Sequence, residues 1–191
     1  MSNVARRKSL GSLWLIVALT AAPVVASYLA YYFWPPAHTV NYGDLIGPQR
    51  LSDPALTQLD GTPFRLSQLK GKWILVSLDS GHCAVHCDEK LLYMRQLRLT
   101  QGKNQERIER VWLVMDDNAP SAELVARYPG TWIARGADAG LRRLFPAKAA
   151  VSDHIYLVDP LGNLMLRFPR DPEPKLMIKD LSRLLKASQI G

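Results

Sequence analysis

The stretch Ser80–Lys90, SGHCAVHCDEK, holds both cysteines of the chain, Cys83 and Cys87, and two of its four histidines, His82 and His86. Two thiols at this spacing can form a structural bridge, a redox couple or half of a metal site. If a helix has begun by Cys83, positions i and i+4 share one face, with Cβ atoms about 5–6 Å apart. Both sulfurs can then share one ion or oxidise together. Thiolates are soft ligands that select Cu(I) or Zn over hard cations. Unpaired N–H groups at a helix N-terminus favour the thiolate, which suits the pair to reactivity. A purely structural bridge is compatible with an exported domain, but so short a loop gains little by closure entropy. A third ligand decides for a metal. The candidates are His82 and His86 within the motif and His154 downstream, where the loop AAVSDH opens a strand.

These residues must be positioned by the elements around them. WILVSL, Trp73–Leu78, is a continuous apolar run, the signature of a strand buried on both faces. Asp79, Ser80 and Gly81 follow as a loop, and Ala84–Leu99 turns helical, with Leu91, Met94 and Leu97 inward. Arg110–Asp117 reads as a second buried strand, and Asn118 as a cap for a helix over Pro120–Arg127. TWIAR is a further strand and DAGLRRLF a short helix. HIYLVDPLGNLMLRF is a hairpin turning at Pro160–Asn163, and Lys175–Ala187 is an amphipathic helix. Before Trp73, LTQ is a short strand-like piece with a turn at Asp60-Gly61. Early alternation of strand and helix, closed by a hairpin and a helix, predicts an α/β fold: a thioredoxin-like mixed sheet flanked by helices.

Ahead of this domain, Leu10–Trp34 is 25 residues without a charge, enough to cross a hydrocarbon core of about 30 Å. Trp14 lies near one end and Tyr28, Tyr31, Tyr32 and Trp34 crowd the other, as interfacial aromatics do. Arg6, Arg7 and Lys8 precede the span and no Lys or Arg follows closely, so the positive-inside rule puts the C-terminal domain on the exported side. In a Gram-negative bacterium that side is the periplasm. A cleaved signal peptide fits less well, because the apolar stretch runs eight residues past the acceptable cleavage site before Ser27. The expected organisation is a cytoplasmic N-terminus over 1–9, one transmembrane helix over 10–34, a Pro-rich tether over 35–50 and the thioredoxin-like domain over 51–191. His38 falls in the tether. The net charge of +7 is partly the N-terminal cluster and otherwise scattered, with no basic run interleaved with aromatics. That argues against a nucleic-acid partner.

Over residues 57 to 186 the chain resembles the SCO/SenC family of thioredoxin-fold copper proteins, which serve in cytochrome c oxidase assembly. GTPFRLSQLKGKWILVSL, GHCAVHC, LVMDDNAP and SDHIYLVDPLGNLMLRF carry the resemblance in order. It implies Cys83 and Cys87 as thiolate ligands and His154 as the imidazole ligand of copper, a role near the site for Asp116 or Asp117, and an uncleaved anchor. It implies copper delivery to the binuclear copper centre of an oxidase subunit. Two other functions fit the same residues: a thiol–disulfide oxidoreductase acting on that subunit's cysteines, with Cys83 and Cys87 as its redox dithiol, and a non-catalytic assembly factor. The sequence departs from the family where Pro follows each cysteine: Ala84 and Asp88 stand there. His86 in the spacer is an alternative ligand, and Asp88 places a negative charge that would raise the Cys87 thiol pKa.

Overall fold

The computed structural model describes residues 3–33, 41–136, 139–188 and 190, with side chains from Gly11 onward. Trp34, the tether residues up to Val40 with His38, and Asp138 of the expected short helix lie outside the described residues. The chain divides into two compact units, Met1–Val40 and Asn41–Gly191.

In the first unit a single helix, α1, runs Asn3–Phe33 through Pro23. Its segment Gly11–Phe33 is long and apolar enough to cross a membrane, about 35 Å at 1.5 Å per residue. Pro23 brings no N–H to the helix ladder. Upstream, the Thr20 hydroxyl donates to the carbonyls of Ile16 and Val17, both at 3.0 Å, back-bonding of the kind found where helices bend.

The second unit is built on one eight-stranded mixed sheet. Its strands are β1 (Asp44–Arg50), β2 (Leu56–Gln58), β3 (Pro63–Phe64), β4 (Trp73–Asp79), β5 (Ile108–Val114), β6 (Trp132–Arg135), β7 (Ile155–Val158) and β8 (Asn163–Arg167). Their spatial order is β1-β8-β7-β4-β5-β6-β2-β3. β4 pairs in parallel with β5, and β5 with β6, while β7 lies antiparallel on the other flank of β4. The helices are α2 (Val85–Leu99), α3 (Ala122–Arg127), α4 (Ala139–Arg143) and α5 (Pro174–Ala187).

Alternation along β4 assigns the layers. Ile74, Val76 and Leu78 face one side and pack with Phe64, Leu66, Leu141 of α4 and Phe145. Trp73 and Leu75 face the other, where Met94 and Leu97 of α2 and Met177, Leu181 and Leu185 of α5 cover them. All seven residues of β4 are buried, as a central strand demands.

Two expectations are corrected. Residues 44–50, read as tether, form β1 and pair antiparallel with β8 (Asp44 with Arg167, Arg50 with Asn163). The strand is mostly exposed, carries Pro48 and shifts register between Leu45 and Gln49, so it has no apolar alternation to betray it. An edge strand tolerates such a proline. Asn118 is not a helix cap. Its side chain is spent on Asp116, and Ser121 caps α3 by accepting the Leu124 N–H at 3.2 Å.

Candidate functional site

The polypeptide leaves β4 at Asp79, crosses Ser80–Ala84 and enters α2 at Val85. Cys83 therefore lies before the helix rather than in its first turn, with φ +44°, in the left-handed region a non-glycine residue seldom adopts. Its N–H donates to the Ser80 carbonyl at 3.1 Å. Cys87 sits in the first turn of α2, 4% exposed, against Leu91, Trp112, Val114 and Leu124. The two sulfurs are joined in a disulfide, with Cα atoms 5.0 Å apart. Ala84 is the N-cap and offers no side-chain acceptor to the first N–H groups of the helix. Cys83 is the more exposed partner, and Val85 beside it is 76% exposed.

Asp116 holds the loop. Its carboxylate accepts the Gly81 N–H at 2.9 Å, the Ser80 hydroxyl at 2.5 Å and the Asn118 side-chain amide at 2.8 Å. These donors, the Gly81 N–H first, keep its pKa far below the usual carboxylate range. Gly81 admits no side chain: a Cβ there would lie 1.9 Å from the Asn118 carbonyl oxygen. Asp117 is exposed. Of the two aspartates weighed from the sequence, Asp116 is thus the one that meets the cysteine loop.

Asp88 does not stand as a bare charge beside Cys87. It accepts the Arg127 guanidinium at 3.1 Å and the Tyr128 hydroxyl at 2.8 Å, and burial together with this bond pushes the Tyr128 pKa up to about 12.

His154 arrives at the same end of the sheet. The last ladder pair between β4 and β7 is Ser77 with Ile155, so His154 lies one residue beyond it, where β4 leaves for the cysteine loop. Its Nδ1 is 2.8 Å from the Phe168 carbonyl oxygen. A carbonyl only accepts, so Nδ1 carries the proton and Nε2 keeps its lone pair. Burial disfavours the imidazolium and lowers the His154 pKa. A neutral imidazole whose other nitrogen is fixed by a carbonyl is the form that ligates soft metals. His86 is set differently: its Nε2 is buried without a hydrogen-bond partner, and its Nδ1 is 3.9 Å from Glu89. His82 is exposed. With the sulfurs bonded to each other, no group of three His, Cys, Asp or Glu side chains is gathered around a metal position among the described residues. The donor chemistry fits a soft metal once the disulfide is reduced: two thiolates from one loop-and-helix turn and one imidazole from the neighbouring strand end.

Two residues that the sequence reading passed over are buried at this end. Lys90, 1% exposed, donates to Asp79 Oδ2 at 2.7 Å and to the carbonyl of Ser152. Asp79 also accepts the Ser77 hydroxyl. Burial raises the Asp79 pKa and lowers that of Lys90, while their mutual attraction opposes both shifts. The signal was present in the sequence. Lys90 falls on the inward stripe of Cys87, Leu91, Met94 and Leu97, and Asp79 continues the alternation of Trp73, Leu75 and Ser77.

A family described as transmembrane-like, thioredoxin-like, C-terminal domain matches residues 73–188. No curated protein matches the chain. Among solved structures it is similar to Bradyrhizobium japonicum ScoI with copper bound (20% identity, 70% of this chain and 98% of that one, TM-score 0.55). It is similar to yeast Sco1 with copper bound (17% identity, 75% and 96%, TM-score 0.61). It is also similar to a putative thiol:disulfide interchange protein DsbE from Chlorobium tepidum (20% identity, 75% and 99%, TM-score 0.55). The thioredoxin-like fold expected from the motifs is the one the chain adopts.

Proposed function

From a chain that belongs to the transmembrane-like, thioredoxin-like C-terminal domain family, we propose a membrane-anchored copper-binding protein that assists cytochrome c oxidase assembly. Copper is its cargo, destined for the binuclear copper site of an oxidase subunit. The observation that carries this reading is the pairing of a dithiol at a helix N-terminus with a His154 ring whose Nδ1 is committed to Phe168 and whose Nε2 is free to bind. Reduced Cys83 and Cys87 supply two thiolates and His154 one imidazole, a soft set that suits Cu(I). Low coordination leaves an open edge for an incoming ligand. The copper-bound Sco structures of the same fold support the assignment. α1 is the anchor, with the N-terminus cytoplasmic and the domain on the exported, periplasmic side, as Arg6, Arg7 and Lys8 favour.

The disulfide and the DsbE-like neighbour favour a second reading, a thiol–disulfide oxidoreductase. The more exposed Cys83 thiolate attacks a substrate disulfide and forms a mixed disulfide. Cys87 then displaces the second substrate thiol, so the substrate gains two electrons and two protons and the Cys83–Cys87 disulfide forms. That chemistry makes no use of His154.

Cu(I) titration of the anaerobically reduced chain in detergent, against a competing chelator, separates the two. One tight equivalent, weakened at least tenfold by Cys83→Ala and by His154→Ala, is the outcome expected of the copper site. Weak binding, or affinity unchanged in His154→Ala, overturns it and leaves the oxidoreductase.

A further inference from the structure

We propose that Lys90 and Asp79 are positioning residues that fix the loop carrying His154 against the helix carrying Cys87. This rests on the copper-site reading above. Lys90 follows Cys87 by three residues, one helical turn, on the same inward stripe of α2. Its Nζ donates to Asp79 Oδ2 at 2.7 Å and to the Ser152 carbonyl oxygen. Asp79 is the last residue of β4, where the cysteine loop departs, and Ser152 lies two residues before His154 in the short 3-10 turn Val151–Asp153. One ammonium group therefore joins three elements: the helix that holds Cys87, the strand end that launches Cys83, and the turn that delivers His154.

Packing alone gives no reason for a charge here. Lys90 is 1% exposed and its carboxylate partner 6%. Desolvating the two ions works against their mutual attraction, and an apolar pair of similar volume is often as stable or more so. What the ion pair adds is geometry. A methionine at this position would accept many placements of the 151–153 turn, whereas an ammonium already bonded to Asp79 aims its two remaining N–H donors in set directions, and one of them meets the Ser152 carbonyl. The imidazole is fixed independently, by Nδ1–H to the carbonyl of Phe168, the residue after β8. With Ser152 held by Lys90 and the ring held by Phe168, the approach of His154 to the dithiol is set at both ends.

The test is a thermodynamic cycle on the full chain in detergent, reduced anaerobically, with Cu(I) affinity read by chelator competition. The four proteins are the parent, His154→Ala, the double variant Asp79→Asn/Lys90→Met, and all three changes together. The double variant neutralises both members at once, so no lone charge stays buried. Asp79→Asn/Lys90→Met is expected to weaken Cu(I) binding about tenfold in the parent, as loss of outer support does at metal sites, and to add no further loss once His154 is gone. Equal losses in both backgrounds would mean a merely structural role and overturn the proposal, as would parent-like affinity in the double variant. His154→Ala without effect overturns the copper site itself, and this proposal with it. An effect of His154→Ala with additive losses overturns the positioning role alone. If the double variant does not unfold cooperatively, Asp79→Asn/Lys90→Gln, which keeps an N–H for Ser152 and again leaves no lone charge buried, carries the same cycle. A smaller loss confined to the parent background is then expected, and a loss equal in both backgrounds overturns the role.

Discussion

Asp116 accepts the backbone N–H of Gly81 at 2.9 Å, and so ties the segment after β5 to the loop between β4 and α2 that carries Cys83. β4 and β5 are parallel neighbours, so both segments emerge at the same end of the sheet. The Gly81 φ is not in the left-handed region. The glycine is there because of the Asn118 carbonyl, which leaves no room for a Cβ. The position of the reactive loop is thus set by a carboxylate and a missing methyl group.

That bond is charge-assisted, so it is expected to weaken in acid. The folded-state pKa of Asp116 is depressed below its ordinary 3.8. Its contribution is therefore fully present above about pH 4 and is lost as pH falls through the lower, folded-state value. Hydrogen exchange at the Gly81 amide, corrected for its intrinsic pH dependence, is the readout. Protection should be flat above pH 4 and decline below it in the parent. In Asp116→Asn it should be lower by roughly fivefold to tenfold and should not change with acid, because a neutral acceptor replaces the charged one. Protection in Asp116→Asn equal to the parent would show that the Ser80 and Asn118 contacts hold the loop without the charge.

Asp180 makes a second prediction, on the part of the fold the sequence concealed. It is 1% exposed on α5, and its Oδ2 accepts the N–H groups of Tyr42 (2.7 Å) and Gly43 (2.9 Å), just ahead of β1. Asp180→Ala leaves the buried Gly43 donor without an acceptor, a loss of about 1–3 kcal/mol concentrated where β1 begins. Trypsin cleavage after Arg50 should accelerate in Asp180→Ala, by at least several-fold, and stay close to the parent rate in Asp180→Asn, which keeps an acceptor. An unchanged rate in Asp180→Ala would mean that the ladder with β8 alone secures the strand.

How far the sequence reveals this molecule depends on which residues bury apolar surface. β4, β5, α2 and α5 are legible because periodic apolar residues place them: Trp73–Leu78 as a continuous run, Met177, Leu181 and Leu185 as a helical stripe. β1 is not legible, since an exposed edge strand with Pro48 and Gly47 turns only Ile46 toward the core and so leaves no apolar alternation. The dithiol was legible from spacing, the start of α2 to within one residue and the Asp116 contact in part, whereas the left-handed backbone at Cys83 was not. A φ of +44° is a decision of tertiary structure, forced where Gly81 is clamped and Cys87 is seated in the core. The Lys90–Asp79 pair leaves its mark in the sequence. A lysine on an apolar stripe and an aspartate in phase with a buried strand announce each other, since neither is buried alone.

The last prediction concerns the charge beside Cys87. From sequence, Asp88 should raise the thiol pKa by like-charge repulsion of the thiolate. In the fold, Arg127 lies 3.1 Å from its carboxylate and the Tyr128 hydroxyl 2.8 Å from it, so the charge does not stand alone beside the thiol. The Arg127 side chain is 53% exposed, which keeps the pair weakly coupled and screened by salt. Removing the guanidinium should expose the charge: in Arg127→Ala the midpoint of thiol alkylation against pH rises, on the order of a few tenths of a pH unit at low salt. Asp88→Asn removes the carboxylate and leaves the half-exposed Arg127 guanidinium, so its midpoint should move downward. Both effects should shrink at 1 M salt, where the screening length is about 3 Å. The two variants shifting in the same direction, or a shift in Arg127→Ala that salt does not touch, would mean that Arg127 acts on the cysteines through the position of α3 and not through Asp88.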